Sequence, residues 1–279
     1  MWKQKIGISL GNAYPIPTSE VVKIVAEAGF DAISPEWQKG VDLQPIVDRA
    51  KACGLHLQSL HAPFGLANHM WGQTDADAAL GELLASLEVC RRYQFPVLVV
   101  HAWIGFDYSD KPTECGLFNF KKLVDKAREY GIQIAFENTE GEEFLFALME
   151  YFKDDDSVGF CWDSGHEMCY NHSQPLLDRF GDKLLITHLN DNLGISRFDG
   201  RTFWTDDLHL LPFDGIADWN VNCERLRQAR KLEYLNFELN IRSKPNRHEN
   251  DVYMQMPLEQ YFGEAYKRAC RIAWAYSGK

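Results

Sequence analysis

Eight short apolar segments, spread along the whole chain, constrain the fold more than any other feature of this sequence. They are β-branched and apolar runs, and they alternate with stretches of about ten to twenty residues that have helical periodicity. The expected strands are Lys5–Gly11, Ala32–Trp37, Leu55–His61, Val97–Trp103, Ile132–Asn138, Val158–Asp163, Leu184–Asp191 and Tyr234–Asn240. Regular alternation of strand and helix predicts a parallel sheet covered by helices.

The expected helices cover residues 18–29, 43–53, 75–93, 117–130, 142–152, 172–180, 218–230 and 257–276. Gly54 and Gly131 stand where two of them should end, because glycine adopts the left-handed conformation of a helix C-terminus without strain. Eight strand–helix units in 279 residues favour a closed (β/α)₈ TIM barrel over an open doubly wound sheet. No linker rich in proline, glycine or serine interrupts the series, so we expect one domain, residues 1–279.

Composition and charge narrow the functional class. The content of 46% hydrophobic and 25% charged residues is typical of a folded globular protein, and the net charge of −11 argues against a nucleic-acid partner. No apolar run approaches the roughly 18 residues that cross a bilayer, and no signal-peptide core is visible, so we expect a cytoplasmic protein without a membrane partner. The seven cysteines form no CxxC pair and indicate free thiols.

Polar residues stand at the C-terminal ends of seven consecutive expected strands. They are Glu36 in SPEW, His61 in SLHAP, His101 in VVHAW, Glu137 in AFEN, Asp163 in CWDSGH, His188 in ITHLND and Glu238 in NFEL. In a barrel these strand ends meet at one mouth, where active sites are found. We therefore expect the seven side chains to share one site.

Each of these residues also has a structural interpretation. A single histidine after a strand is more often a hydrogen-bonded structural residue than a ligand, and Asp163 can cap the following helix as an Asx turn before Ser164 and Gly165. Glu137 and Glu238 differ, because a carboxylate buried in an apolar strand costs several kcal/mol unless a cation or hydrogen-bond donors compensate it. Taken together, the carboxylates and histidines suit a divalent cation.

The strand ends FEN, WDSGH, HLND and FEL, with DLHLLPFDGIADW after the seventh strand, resemble the xylose isomerase-like barrel superfamily. That superfamily contains sugar isomerases and epimerases and the endonuclease IV branch of DNA repair. The resemblance covers nearly the whole chain. It implies one divalent metal ion (Mn, Co, Mg or Zn) held by Glu137, Asp163, His188 and Glu238.

The endonuclease branch holds three zinc ions, and the resemblance places its additional ligands at His61, His101, His166, Asp207 and His209. The segment LLPFDGIADW, however, is similar to the LLPGxGxIDW segment of the sugar group, with Phe213 in place of the usual glycine. This similarity favours a sugar isomerase or epimerase. A zinc phosphodiesterase acting on abasic DNA and a non-catalytic sugar-binding barrel are the alternatives.

For the isomerase, we expect Glu137 and Glu238 to form an acid-base pair that moves a proton through an enediolate. The expected substrate-binding residues are Glu36, His61, His101, Trp103, His166, Asp207 and His209. The expected ligand is a sugar or sugar phosphate, and a homo-oligomer is compatible with the sequence. Cations in the loops 192–217 and 241–256 are candidates for binding an anionic group: Arg197, Arg201, Arg242, Lys244 and Arg247. Aromatic residues expected to flank the site are Trp37, Phe64, Trp71, Trp103 and Trp204.

Overall fold

The computed structural model describes residues 4–11, 14–72, 76–105, 109–171, 174–197 and 204–278. Eight parallel strands lie within these ranges, at the eight places that the sequence predicts. They are β1 Lys5–Leu10, β2 Ala32–Pro35, β3 in two short segments His56–Leu57 and Leu60–His61, β4 Val97–His101, β5 Gln133–Glu137, β6 Val158–Asp163, β7 Leu184–His188 and β8 Tyr234–Phe237.

The strands close into a barrel. β1 pairs with both β2 and β8, the first segment of β3 pairs with β2, and its second segment pairs with β4. Parallel pairing continues without a gap from β4 to β7. The last seam is a bridge between Leu189 and Phe237, where the Leu189 amide donates to the carbonyl of Asn236 at 2.9 Å. Every strand thus has two neighbours, which confirms the expected (β/α)₈ TIM barrel.

The helices are α1 Thr18–Ala28, α2 Gln44–Ala52, α3 Ala76–Tyr93, α4 Glu114–Tyr130, α5 Glu142–Tyr151, α6 Ser164–Cys169, α7 Leu176–Phe180, α8 Trp219–Gln228, α9 Asp251–Met254 and α10 Leu258–Tyr276. Gly131 ends α4 with a φ of 67°, as expected of a glycine at a helix C-terminus. None of the described helices is long and apolar enough to cross a membrane.

Three elements differ from the sequence-based expectation. Helix α4 begins at Glu114 rather than at 117, because the Thr113 hydroxyl accepts the Gly116 amide at 3.0 Å and caps an earlier turn. The short helices α6 and α9 were not expected, since four to six residues carry too little periodicity to be detected. The helix expected at 172–180 is described only from Leu176, and residues 172 and 173 lie outside the described ranges.

Alternating residues divide the core into two parts. Ile6, Ile8 and Leu10 of β1 belong to the large cluster between strands and helices. A separate cluster occupies the inside of the barrel and contains Val97, Val99, Ala135, Cys161 and Ile186, all from β4 to β7. On the side formed by β8 and β1 the barrel interior is polar instead, and the side-chain amide of Asn236 donates to the Ser9 hydroxyl at 2.9 Å. All seven cysteines are free thiols, as the sequence indicated.

Candidate active site

The strand ends bring four of the expected residues into one cluster. Glu137, Asp163, His188 and Glu238 each contribute a potential ligand atom, and these atoms lie within 4.8 Å of one another. We call this set the central cluster. Strand register produces it, since Asp163 on β6 lies directly opposite His188 on β7. Metal binding by these residues stays a prediction.

Glu137 is the hub of the cluster. Its side chain is fully buried, with Oε1 2.8 Å from Nδ1 of His188 and 3.6 Å from Nδ1 of His166. Its Oε2 lies 3.2 Å from Nε2 of His61 and 3.3 Å from Nε2 of His101. Burial acts to raise the pKa of the Glu137 carboxyl, but His188, His101 and His61 outweigh it and hold the pKa well below its usual range. Glu137 is therefore an anion surrounded by imidazoles.

Asp163 has the capping role that the sequence left open and also lies in the cluster. Its Oδ1 accepts the His166 amide at 2.7 Å and begins α6, while its Oδ2 accepts the side-chain amide of Asn190 at 2.8 Å. Asn190 is itself held, because its backbone amide donates to the Ser164 hydroxyl and its backbone carbonyl accepts from that hydroxyl. These contacts orient the Asp163 carboxylate toward its neighbours.

Asn190 makes Gly165 a sensitive position. A Cβ atom added at Gly165 would lie 1.9 Å from Oδ1 of Asn190. Replacing Gly165 by Ala should therefore destabilise the protein by about 1 to 3 kcal/mol, the usual range for overpacking. Urea unfolding measures the difference. Gly81→Ala on α3 is the control, because nothing lies within 4 Å of its Cβ position and alanine there should be neutral or stabilising. Equal free energies for the two variants would contradict the packing argument.

Glu238 is the only member of the central cluster that lines the open cavity at the barrel mouth, which has a volume of about 530 Å³. Its Oε2 lies 3.2 Å from Nδ1 of His188 and 3.6 Å from Nδ1 of His209, and its side chain keeps 17% exposure. Burial acts to raise the pKa of Glu238, but His188 and His209 lower it to about 2. An ionised carboxylate therefore faces the cavity.

Two further groups adjoin the central cluster. His61 and His101 form one group with Glu137, and His166 and His209 form another with Asp163, each with potential ligand atoms within 4.8 Å of one another. Asp207 joins the second group, since its Oδ1 lies 2.8 Å from Nε2 of His209 and 3.4 Å from Nε2 of His166. His209 has a φ of 47°, a left-handed conformation that is uncommon outside glycine. Strain of this kind is often found at functional sites.

The donor set of the central cluster fits a divalent cation. Three carboxylates lie within 4.8 Å of one another, and their mutual repulsion in a largely buried site needs positive charge beside them. One buried atom of this cluster, Nε2 of His188, has no hydrogen-bond partner among the described residues. Imidazole and carboxylate donors together suit Zn²⁺, Mn²⁺ or Co²⁺, and the oxygen-rich part suits Mg²⁺.

The expected substrate-binding residues divide into two sets. Six of the seven line the cavity, namely Glu36, His61, His101, His166, Asp207 and His209. Trp103 is not among the residues that line the cavity; its side chain is buried and stacks on Phe144 at 5.0 Å between ring centroids, and its role in substrate binding stays a prediction. Trp37 and Trp71 are also buried away from the cavity, whereas Phe64 and Trp204 line it. An aromatic residue next to a strand end is thus not sufficient to predict a side chain that lines the cavity.

The structure places the lysine and arginine residues of the two long loops in different surroundings. Lys244 lines the cavity, with Nζ 3.4 Å from Oδ2 of Asp207 and 5.5 Å above the ring of Trp204. Arg247 is paired with Asp206 at 2.9 Å and with Glu249 at 2.8 Å. Arg242 lines a different groove, Arg197 has an interaction partner, and Arg201 lies outside the described residues.

Lys244 should therefore govern any preference for an anionic substrate. Replacing Lys244 by Gln should weaken binding of a phosphorylated ketose about tenfold or more, since a hydrogen bond to a charged group contributes about 1.5 to 3 kcal/mol. Binding of the same ketose without phosphate should change little. Titration calorimetry gives the ratio of the two dissociation constants, for the ketose with and without phosphate. Arg242→Gln is the matched control. An equal effect on both ligands would remove Lys244 from anion recognition.

Sequence reasoning missed three buried polar residues near the cluster. Asn138 donates to the carbonyl of Asp163 at 2.9 Å, and its own carbonyl lies 2.9 Å from Nδ1 of His166. Asn190 holds Asp163, and Glu140 lines the cavity. The motifs FENTE and HLND contain all three, but nothing in the linear sequence distinguishes them from ordinary loop residues.

Comparison with known proteins finds one relative by sequence and several solved structures of similar fold. The uncharacterized protein y4fM of Sinorhizobium fredii is 30% identical over 244 residues, which are 82% of this chain and 73% of that protein. Three solved structures with similar folds are 13 to 16% identical, which shows likeness of fold alone. One is the IOLI protein with a bound zinc atom, matched at a TM-score of 0.72 over 96% of this chain and 98% of that one.

The second is D-psicose 3-epimerase with D-tagatose from Clostridium cellulolyticum H10, with a TM-score of 0.69 over 95% of this chain and 99% of the epimerase. The third is a fusion of a xylose isomerase-like TIM barrel with 4-hydroxyphenylpyruvate dioxygenase, with a TM-score of 0.70 over 95% of this chain; the chain spans only 42% of that fusion protein. A family model described as xylose isomerase-like TIM barrel matches residues 22–255. The chain belongs to the xylose isomerase-like TIM barrel family.

Proposed function

We propose that this protein is a metal-dependent isomerase or epimerase of a ketose or a related polyol ketone. The observation that carries the proposal is the ionised Glu238 carboxylate, which faces a cavity of about 530 Å³ beside a cluster fit for a divalent ion. Solved structures of similar fold support it, since one holds zinc and another is an epimerase with a bound ketose.

A divalent ion bound by the central cluster would polarise the hydroxyl and carbonyl oxygens of the substrate. Glu238 would take the proton from the carbon next to the carbonyl, which yields an enediolate. Return of a proton to the neighbouring carbon isomerises the sugar, whereas return to the opposite face of the same carbon epimerises it. His166 and His209 line the cavity and can hold substrate oxygens.

Glu137 and Glu238 are not equivalent as acid-base partners. Glu238 meets the cavity directly, whereas Glu137 does not line it and is in contact with three histidines that do: His61, His101 and His166. This difference supports Glu238 as the proton acceptor. We propose that Glu137 acts mainly as a shared ligand and exchanges protons with the cavity through these histidines.

Solvent exchange tests the proposed function. The protein, loaded in turn with Mn²⁺, Co²⁺, Mg²⁺ and Zn²⁺, is incubated in D₂O with a panel of ketoses and inositol-type ketones, and the metal is removed before proton NMR. Deuterium should enter the carbon next to the carbonyl of at least one compound. Ligand binding without any exchange would instead identify a non-catalytic sugar-binding barrel.

A second candidate function is hydrolysis of a phosphodiester by an endonuclease IV-like zinc centre. It is favoured by the two groups that adjoin the central cluster and share Glu137 and Asp163 with it. The net charge of −11 opposes it, since a duplex needs a basic surface. Mass spectrometry of the native protein separates the candidates: about three zinc ions per chain, with incision of abasic duplex lost in His101→Ala, would favour the endonuclease.

A further inference from the structure

Glu140 is a cavity-lining carboxyl group that the proposed function does not use. It follows β5 and retains 5% exposure while lining the cavity. Among the other described residues, only the Gly105 amide donates a hydrogen bond to its carboxyl group, to Oε1 at 3.3 Å. No lysine, arginine or histidine of the described ranges forms an ion pair with it. A buried carboxyl without a cation partner is costly unless something else uses it.

The loop that carries Glu140 is firmly held. The hydroxyl of the preceding residue, Thr139, donates to the carbonyl of Trp103 at 3.1 Å. The side-chain amide of Asn171 donates to the carbonyl of Thr139 at 2.8 Å. The Trp103 ring is fixed in turn by stacking on Phe144. The backbone next to Glu140 is thus held by Trp103 and Asn171, which lie on two other segments.

The electrostatic surroundings keep this carboxyl near its protonation midpoint. Burial raises the pKa of Glu140 to about 7, and of the charged groups that face it, His166 lowers the pKa and Asp207 raises it. A protonated carboxyl both donates and accepts a hydrogen bond, and a sugar hydroxyl does the same. A phosphate group, in contrast, would be repelled by the ionised form.

We infer that Glu140 is a substrate-binding residue, and that the carboxyl oxygen not held by Gly105 binds a hydroxyl group of an uncharged polyol portion of the substrate. The inference rests on the proposed function and deepens it. Glu140 and Lys244 both line the cavity, so a hydroxyl group and an anionic group of one substrate would each have a partner of suitable chemistry there.

Two substitutions at Glu140 test the inference. The probes are D-allulose and D-tagatose, and binding to Mg²⁺-loaded protein is measured by titration calorimetry between pH 5.5 and 8.5. Glu140→Leu should weaken binding about tenfold or more, because a hydroxyl would face an apolar group. Glu140→Gln keeps the size and both hydrogen-bonding functions and should bind like the wild type at pH 6. Glu150→Leu, on the exposed face of α5, is the matched control.

The pH dependence of ketose affinity is a second measurement, and a purely structural role of Glu140 would not change it. Wild-type affinity should be highest below pH 7 and fall as the pH rises above it, since the donor proton is lost there, whereas Glu140→Gln should bind equally across the range. Should Glu140→Leu fail to fold, the comparison of wild type with Glu140→Gln decides. Equal affinities and equal pH profiles for wild type and variants would overturn the inference alone. If the wild-type protein bound neither ketose, the panel compound that shows deuterium exchange would replace them as the probe. Absence of both binding and exchange across the whole panel would contradict the proposed function and this inference together.

Discussion

Replacing Glu238 by Gln should lower turnover about a hundredfold or more, the effect expected for loss of a general base. The amide keeps the size of the side chain and one oxygen that can bind a metal, but it cannot accept the proton. Because Glu238 is the member of the central cluster that meets the cavity, the loss should fall on turnover more than on metal content. Turnover and bound metal are measured on the same preparation, the latter by plasma mass spectrometry.

Excess metal distinguishes the two roles of Glu238. A residue that only binds the ion should recover activity when metal is added, whereas a base should not. Full recovery would leave the proton acceptor unidentified and contradict its assignment to Glu238. Glu224→Gln is the control, since this carboxylate is exposed on α8 outside the cavity and should leave turnover unchanged.

Replacing Glu137 by Gln should lower the free energy of unfolding of the metal-free protein by about 3 to 5 kcal/mol, the usual effect of removing one partner of a buried charge pair. The fully buried Glu137 carboxylate is the counter-charge of His188 and also contacts His61 and His101. His188 is most affected, since its Nδ1 lies 2.8 Å from Oε1. Urea unfolding at pH 7 in the presence of a chelator measures the change.

An exposed ion pair provides the control for this measurement. Glu233 pairs with Lys5 at 2.6 Å on the protein surface, so Glu233→Gln should change the free energy of unfolding little. If Glu137→Gln cost no more than Glu233→Gln, Glu137 would not be the hub that its contacts indicate. The two glutamates of the predicted acid-base pair should thus behave differently: Glu238→Gln in turnover, Glu137→Gln in stability and metal binding.

The strands and the polar residues at their ends could be predicted from the sequence. Alternating apolar segments identified all eight strands, because a strand inside a barrel is buried on both faces and reads as a continuous apolar run. The polar residue that ends each run marks the barrel mouth, so the members of the central cluster were found before any distance was known. The strand pairing confirms that strand-end residues are adjacent, with His101 opposite Glu137 and Asp163 opposite His188.

The side-chain contacts of Asp163 and Trp103 could not be predicted from the sequence. The sequence left the capping role and the cluster role of Asp163 as alternatives, and the structure brings both together, because its two oxygens point to different neighbours. Trp103 was expected at the cavity but turns away to stack on Phe144, since the side-chain direction beyond a strand end depends on the loop. Glu140 carries no sequence signal, and its burial results from packing between the β4 and β5 loops.

By itself, the sequence determined the number and order of the strands, the barrel class and the ligand-type residues at its mouth, because these follow from local periodicity and from chain order. Only the tertiary structure decided that Glu238 faces the cavity while Glu137 lies behind histidines, and that Lys244, rather than Arg242 or Arg247, reaches it. The physical reason is that exposure and side-chain direction at the mouth depend on barrel closure and on the paths of long loops. Both arise from contacts between residues that are far apart in the chain.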